Sequence, residues 1–162
     1  MKSSFSGFFI IFFCLSFWES AAQDDTAYIK RLYDKVLDFD ASKADSVLYY
    51  ASYIQRRATD LNFDKGEVLS LRLKGIYNEY KNEYDSSISY FFKSLEEARR
   101  LGIPEYETAA LGDLALAYYN INQPQKTKEF YKMALDIANK RQEASSVFTN
   151  STNLGSIYNK LG

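Results

Sequence analysis

The chain has 162 residues, enough for one small globular domain or a short row of helical hairpins. Its two prolines and seven glycines, among many Ala, Leu, Glu and Lys residues, argue against strands and long loops. The formal net charge is -1 and the two signs are interspersed, which excludes the basic surface of a nucleic-acid-binding protein. Composition therefore favours an array of helices.

Residues 1–22 differ in composition from the rest of the chain. Lys2 supplies a positive start, residues 8–17 form an apolar run interrupted only by Ser16, and residues 20–22 are small. This order is typical of a secretory signal peptide, and the small residues predict cleavage before Gln23. The expected location is exported, in the periplasm or at the cell surface of a bacterium.

Two other interpretations of this segment are weaker. An uncleaved membrane anchor needs about 20 apolar residues, roughly twice the run present here. A lipoprotein needs a small residue before its modified cysteine, whereas Cys14 follows Phe13 inside the apolar run. A chain that begins at Gln23 contains no cysteine, so its stability must come from helix packing.

The amino-terminal hairpin is predicted at residues 23–66. Residues 26–39 carry an apolar stripe at helical spacing, formed by Tyr28, Ile29, Leu32, Tyr33, Val36 and Leu37. Asp40 breaks the pattern and can cap a second helix over residues 43–61. The first helix matches the later pattern poorly, so this hairpin is interpreted as a cap.

Boundary signals predict the helices that follow. Asp64 and Glu67 have the spacing of a capping box, and Asn82 and Asn122 are predicted to cap the amino ends of the helices after them. Gly102 is expected to end a helix with positive φ, while Pro104 and Pro124 fall in first turns.

Small residues recur at an interval of 40 positions, at Gly75, Ala115 and Gly155, each inside an apolar helical pattern. Glycine inside a helix costs about 1 kcal/mol relative to alanine, so close contact between helices is the expected reason for it. A fixed interval of this length is typical of a helical repeat array. The fold class is therefore predicted as all-α.

The second block carries the fullest pattern, over residues 108–141, in Leu111, Leu114, Ala115, Tyr118, Pro124, Thr127, Tyr131, Ala134 and Leu135. The first block carries Leu71, Gly75, Tyr84, Ser87, Phe91, Ser94 and Leu95, and the third carries Leu154, Gly155 and Tyr158. This pattern resembles a tetratricopeptide repeat with a period of 40 instead of the usual 34. Lys74 and Asn78 depart from it, standing where leucine and an aromatic residue are expected.

The resemblance implies a right-handed α-solenoid of antiparallel hairpins. It places repeat 1 at residues 67–106, repeat 2 at residues 107–146 and the first helix of an incomplete repeat 3 at residues 147–162. Residues expected to pack the repeats together are Gly75, Ala115, Gly155, Leu71, Leu111, Leu114, Tyr118, Phe91, Tyr131, Ser94 and Ala134.

The resemblance also implies a concave groove lined by the first helix of each hairpin. The groove residues carried over in this way are Leu69, Arg72, Ile76, Glu79, Tyr80, Ala109, Gly112, Leu116, Tyr119, Asn120, Thr149, Thr152, Ser156, Asn159 and Lys160. Aromatic, amide and charged groups together suit an extended peptide or a partner helix. The alternative is that Tyr80 and Leu116 only pack between helices.

The sequence offers little for catalysis. It has no histidine, and no cysteine beyond Cys14, which removes the common nucleophile–base pairs and the usual zinc and haem ligands. Adjacent acidic residues such as Glu96 and Glu97 point in different directions on a helix and are interpreted as surface groups. We expect no enzyme activity, no cofactor and no metal.

Residues 150–152 match a glycan acceptor, but the motif is short and falls within a predicted helix.

The leading functional expectation is an exported, non-catalytic module that binds a protein or peptide through its concave face. The alternative is the amino-terminal sensor segment of a longer membrane-bound signalling protein, either a histidine kinase or a DNA-binding regulator. A repeat domain joined to a secreted hydrolase is a third possibility.

The chain stops at Gly162, before the second helix of repeat 3. The expectation is therefore a longer polypeptide or a gene broken within a repeat, with a homodimer through the open third repeat as the other possibility.

Overall fold

The structure is a computed structural model, and it describes the backbone of residues 25–161. The predicted signal peptide and its cleavage site lie outside the described residues. Within the described part, no helix is both long and apolar enough to span a membrane.

Seven α-helices follow one another along the described chain. Helix α1 covers residues 25–37, and a short 3-10 helix at Ala41–Lys43 leads into the second. The remaining helices are α2 (Ala44–Asp60), α3 (Lys65–Tyr80), α4 (Tyr84–Arg100), α5 (Pro104–Asn120), α6 (Pro124–Lys140) and α7 (Ala144–Leu161). No strand occurs in residues 25–161, so the predicted all-α class is confirmed.

From α2 to α7, consecutive helices pack against each other, and α3 also contacts α5. The amino-terminal core joins α1, α2 and α3 through Ile29, Val36, Val47, Ile54 and Leu73, all at most 1% exposed. The predicted stripe of α1 is buried at four positions, whereas Tyr28 is 48% exposed. The chain is therefore a row of helices with a core that runs between neighbours.

From α2 onward, the turns between helices repeat every 20 residues. A residue with φ between 51° and 63° occupies the same place in each of the five turns, namely Asn62, Asn82, Gly102, Asn122 and Gln142. This left-handed conformation suits glycine and, to a lesser degree, asparagine. The 40-residue interval in the sequence is thus made of two halves of equal length.

The hydrogen bonds of these turns are also alike. After α2, the amide of Phe63 donates to the carbonyl of Ala58 at 2.8 Å, and the amide of Asn62 donates to that of Thr59 at 3.2 Å. The same two bonds end α3, α4, α5 and α6. This is the Schellman arrangement, which pairs the last carbonyls of a helix while reversing the chain.

The structure corrects two predictions about helix ends. Asn82 and Asn122 do not cap the helices that follow them, because each ends the preceding helix at positive φ. Asparagine is favoured both as an amino-terminal cap and at the left-handed position that ends a helix, so its presence alone does not distinguish the two roles. The capping box at Asp64 is also wrong: the Asp64 side chain makes no capping hydrogen bond, and Glu67 instead accepts one from Gln55 Nε2 at 3.1 Å. Gly102, Pro104 and Pro124 lie where predicted.

Gly75 is a close crossing point between α3 and α4. A Cβ added there would lie 3.0 Å or less from three ring carbons of Phe91, which is 0% exposed. The other predicted packing residues apart from Gly155 are buried as well, namely Ala115, Leu71, Leu111, Leu114, Tyr118, Tyr131, Ser94 and Ala134. Gly66 is a second crossing point that the sequence did not reveal, since its added Cβ would collide with Ala58.

The prediction for Gly155 is wrong. This residue is exposed, and among the described atoms none beyond its chain neighbours and the nearby backbone of α7 lies within 4 Å of where its Cβ would be. At Gly75 the close contact comes from the following helix, and no helix follows α7 in the described residues.

Candidate functional site

A polar network connects the first helices of successive hairpins. Arg72 on α3 donates from Nε to Asp113 Oδ2 at 2.5 Å and from Nη2 to Oδ1 at 3.1 Å. Its Nη1 donates to the hydroxyl of Tyr33 on α1, also at 2.5 Å. The side chains of Arg72 and Asp113 are each 17% exposed. One guanidinium therefore links α1, α3 and α5.

Burial and pairing shift the pKa values of Arg72 and Tyr33 in opposite directions. Burial disfavours the charged guanidinium, but the neighbouring Asp113 and Tyr33 outweigh it and raise the pKa of Arg72. Burial raises the pKa of Tyr33, although Arg72 opposes the shift. Arg72 thus stays charged and Tyr33 neutral over the physiological pH range, so titration of these two groups does not break the network.

A second link between α3 and α5 lies two turns further along. Asn120 Nδ2 donates to Glu79 Oε1 at 2.9 Å. Burial and the nearby charge of Asp113 raise the pKa of Glu79 to about 7, although the bond from Asn120 lowers it. Beside it, the Tyr80 hydroxyl donates to the carbonyl of Phe39 at 2.5 Å. Glu79 is therefore a carboxyl group that changes charge near neutral pH.

A groove of about 510 Å³ lies between α5 and α7. Its floor and walls come from α5 and α7, with single contributions from α3 and α6. The lining residues are Arg72, Glu105, Thr108, Ala109, Gly112, Asp113, Leu116, Tyr131, Ser145, Ser146, Thr149, Asn150 and Asn153. This volume is within the range of ordinary ligand sites.

The α7 side of the groove consists of hydroxyl and amide groups. Asn150 is 6% exposed, and its Nδ2 donates to the carbonyl of Ser146 at 2.9 Å. Asn153 hydrogen-bonds to Tyr131, whose pKa is raised chiefly by burial. Because Asn150 is buried in a helix, it is not a usable glycan acceptor, so the motif at residues 150–152 has no such role here.

The charged groups of the groove are already paired. Arg72 is bound by Asp113 at the floor, and Glu105 at the rim accepts from Arg141 Nη1 at 2.8 Å. Leu116 is 42% exposed and adds an apolar surface at the edge. The groove therefore offers hydroxyl and amide groups for hydrogen bonding, beside one apolar contact. In residues 25–161 no group of three or more potential metal ligands occurs.

The structure distributes the predicted groove residues over several environments. Arg72, Ala109, Gly112, Leu116 and Thr149 line the groove. Leu69 does not, because it is 1% exposed in the core between α1, α2 and α3. Ile76 and Tyr80 pack against that core, Glu79 and Asn120 form the second α3–α5 link, and Tyr119 packs against the cluster of Ala115, Tyr131 and Leu154.

On α7 the prediction selected largely the wrong side of the helix. Thr152, Ser156 and Asn159 are exposed but lie outside the groove, and the placement of the Lys160 side chain is outside the described part. The residues it missed are Glu105, Thr108, Asp113, Tyr131, Ser145, Ser146, Asn150 and Asn153.

The prediction missed these residues because residues that contact each other across successive hairpins are not separated by the 40-residue repeat interval. Arg72 faces Asp113 and Glu79 faces Asn120, both at a separation of 41 residues. Positions 40 apart are equivalent and point the same way, so they do not face each other. Applying the contact offset to Gly112 leads to Asn153, a groove residue that the repeat alignment alone did not select.

Comparison of the chain with protein-family models finds no match, and comparison with curated proteins finds no significant relative.

Proposed function

We propose that the helices form a right-handed α-solenoid of the tetratricopeptide type. The support is the 40-residue hairpin unit, the identical turn every 20 residues, and the pairing of an aromatic ring with a small residue in successive hairpins. Phe91 covers Gly75 in one hairpin, and Tyr131 clusters with Ala115 in the next. Such arrays present elongated concave surfaces that suit partner recognition.

We propose that the protein is an exported, non-catalytic module and that the groove between α5 and α7 binds an extended peptide. The observation that carries this proposal is the open groove of about 510 Å³, whose charged residues are already paired and whose α7 wall carries hydroxyl and amide groups. A peptide backbone needs donors and acceptors along its length, and the α7 hydroxyl and amide groups supply both kinds. A metabolite site would more often be enclosed and would direct a few unpaired polar or charged groups at the ligand.

Leu116 gives the proposed peptide an apolar anchor. It is exposed at the edge of the groove, beside Gly112, where the absence of a side chain leaves the α5 backbone open. Burying this exposed side chain against an apolar residue of the peptide would stabilise the complex, while the polar groups of the α7 wall fix the register. We therefore expect a peptide with one apolar residue among polar, uncharged residues.

A peptide selected from a random library on the purified protein tests the groove. Thr149→Trp fills it from an exposed position on α7 and should weaken binding of the selected peptide about tenfold or more. Ser89→Trp is the control, since Ser89 is exposed on α4 and away from the groove. Equal binding by both variants would reject the groove as the site.

Export is tested separately. The mass of the protein recovered from outside the cytoplasm should correspond to a chain that begins at Gln23. A retained residue 1 in the exported fraction would contradict the proposed cleavage.

A further inference from the structure

The groove between α5 and α7 lies where the preceding hairpin has a long side chain. Arg72 on α3 and Asp113 on α5 form the largely buried ion pair that joins those two helices. The equivalent positions 40 residues later are Gly112 and Asn153, and both line the groove. Because glycine has no side chain, the space that the guanidinium occupies between α3 and α5 is left open between α5 and α7.

The carboxamide of Asn150 faces this open space. The residue is 6% exposed and lines the groove, and its Nδ2 donates to the carbonyl of Ser146 at 2.9 Å. Its Oδ1 lies 3.7 Å from where a Cβ of Gly112 would be. Among the residues that the structure describes, none donates a hydrogen bond to this oxygen. A buried acceptor without a donor is costly, so Oδ1 marks a place for a donor from outside the chain.

The open space offers hydrogen-bonding groups but no free charge. The charged residues of the groove are paired with one another or with Arg141. Asn153 is neutral, whereas its equivalent Asp113 is a carboxylate. A cationic side chain placed here would lose water without gaining a counter-charge. A neutral carboxamide can instead donate to Asn150 Oδ1 and accept from the hydroxyl of Ser146.

The distance to the apolar edge of the groove matches an extended peptide. Leu116 lies one helical turn beyond Gly112 on the same face of α5, and four residues of a helix rise about 6 Å. In an extended chain, residues two positions apart point to the same side and lie about 6.5–7 Å apart. One peptide can therefore set an apolar side chain on Leu116 and a second side chain beside Gly112 when a single residue separates them.

We propose that the open space beside Gly112 is a subsite for the side chain of a glutamine, and that the bound peptide carries an apolar residue two positions from this glutamine. The inference rests on the proposed function, since it requires a peptide in the groove. The glutamine carboxamide takes the place that the Arg72 guanidinium has in the preceding hairpin, and its Nε2 donates to Asn150 Oδ1. Glutamine is favoured over asparagine because the space corresponds to that of a long side chain.

Fluorescence anisotropy with two labelled nonapeptides tests the subsite. Their sequences are Ser-Thr-Ser-Leu-Thr-Gln-Ser-Thr-Ser and Ser-Thr-Ser-Gln-Thr-Leu-Ser-Thr-Ser, so that both chain directions are covered. One of them should bind the purified protein. Changing its Gln to Glu or to Arg should weaken binding about tenfold, because a charge then enters a neutral site. Inserting a second Thr between Leu and Gln should weaken binding similarly, since the two side chains then point to opposite sides.

Two variants of the protein test the subsite from the other side. Asn153→Asp restores the carboxylate that Asp113 presents to Arg72, so it should reverse the preference and bind the Arg peptide about tenfold more tightly than the Gln peptide. Gly112→Arg fills the space from within the chain and should weaken binding of the Gln peptide at least tenfold. Ser89→Arg is the matched control, because Ser89 is exposed on α4 away from the groove. Far-ultraviolet circular dichroism reports whether each variant remains helical.

The outcomes distinguish this inference from the proposed function. If peptides bind and Thr149→Trp blocks them, but Gln, Glu and Arg forms bind equally or Asn153→Asp leaves the preference unchanged, the subsite is wrong and the groove stands. The subsite is also wrong if library-selected peptides bind in the groove and neither nonapeptide does. If no peptide binds in the groove, both the subsite and the proposed function are wrong.

Discussion

The guanidinium of Arg72 and the carboxylate of Asp113 form a two-point ion pair, at 2.5 and 3.1 Å, between helices that begin 39 positions apart at Lys65 and Pro104. Each side chain is only 17% exposed, so the pair lies largely out of water. It fixes how α3 and α5 sit beside each other, and it holds the floor of the groove between α5 and α7.

Removing one partner of this pair should be costly. Asp113→Ala leaves the Arg72 charge buried with only the Tyr33 hydroxyl as a partner, so we expect the free energy of unfolding to fall by about 3 kcal/mol. Urea denaturation measures it. Asp136→Ala is the control, because the exposed Lys140–Asp136 pair should contribute less than about 1 kcal/mol. A similar loss in both variants would contradict a special role for the buried pair.

Replacing both partners should cost less than replacing one. The double variant Arg72→Met with Asp113→Leu removes the buried charges together and supplies apolar groups of similar size. Its unfolding free energy should exceed that of Asp113→Ala, because no unpaired charge remains. A double variant less stable than Asp113→Ala would show that the polar network, and not charge pairing alone, determines the packing of α1, α3 and α5.

Gly75→Ala should destabilise the protein although alanine is the better helix former. Its Cβ would collide with the ring of Phe91, and overpacking of this kind costs about 1–3 kcal/mol. Gly112→Ala is the matched control: its nearest neighbour would be Asn150 Oδ1 at 3.7 Å, an ordinary contact. That variant should be more stable than the native protein by up to about 1 kcal/mol. Thermal denaturation that ranks the two variants the other way would contradict the contact between Gly75 and Phe91.

The turn positions predict a reciprocal pair of substitutions. Gln142 has φ 58° and Gly102 has φ 63° at equivalent turns. Gln142→Gly should raise the unfolding free energy by about 1 kcal/mol, and Gly102→Gln should lower it by a similar amount, because the left-handed conformation penalises side chains with a Cβ. The melting temperatures of the two variants test this prediction. If both variants shift the melting temperature in the same direction, the two turns differ in how they tolerate a side chain with a Cβ.

Stability should depend on pH through Glu79. Its folded pKa of about 7 is raised above the ordinary carboxyl value of 4.5, mainly by burial. The folded state therefore holds this proton more tightly, and the resulting stabilisation is fully present below about pH 4.5 and is lost as the pH rises through 7. Glu79→Gln keeps a neutral side chain at all pH values.

The comparison of native protein and Glu79→Gln isolates that contribution. Each pKa unit corresponds to about 1.4 kcal/mol, and partial exposure reduces the effect, so the variant should gain roughly 2 kcal/mol over the native protein between pH 5 and pH 8. Asp136→Asn, at an exposed position, serves as the control. A pH-independent difference between native protein and Glu79→Gln would contradict the raised pKa.

The interior of the fold could be predicted because burial follows helical periodicity. The interval between Gly75 and Ala115 identified positions that are buried at helix crossings. The identity of Asn82 did not reveal its role, since asparagine serves at both ends of helices. The interval also failed at Gly155, where the packing partner belongs to a different helix and cannot be inferred from the glycine itself.

The groove was harder to predict than the core. The pairing of Arg72 with Asp113 depends on the rotation of α3 against α5, and charge patterns within one helix carry no information on that rotation. For the same reason the α7 side was assigned to Thr152 and Ser156, whereas Asn150 and Asn153 face α5. A repeat alignment finds equivalent positions, but contacts between helices require the additional offset seen in the structure.

The most direct test of the proposed function is the map of amide chemical shifts of the protein during titration with a selected peptide. Peptide binding in the groove predicts changes concentrated at residues 105–116 of α5 and 145–153 of α7, and their absence in Thr149→Trp. Changes centred instead on α4 and α6, or an undiminished response in Thr149→Trp, would contradict the account.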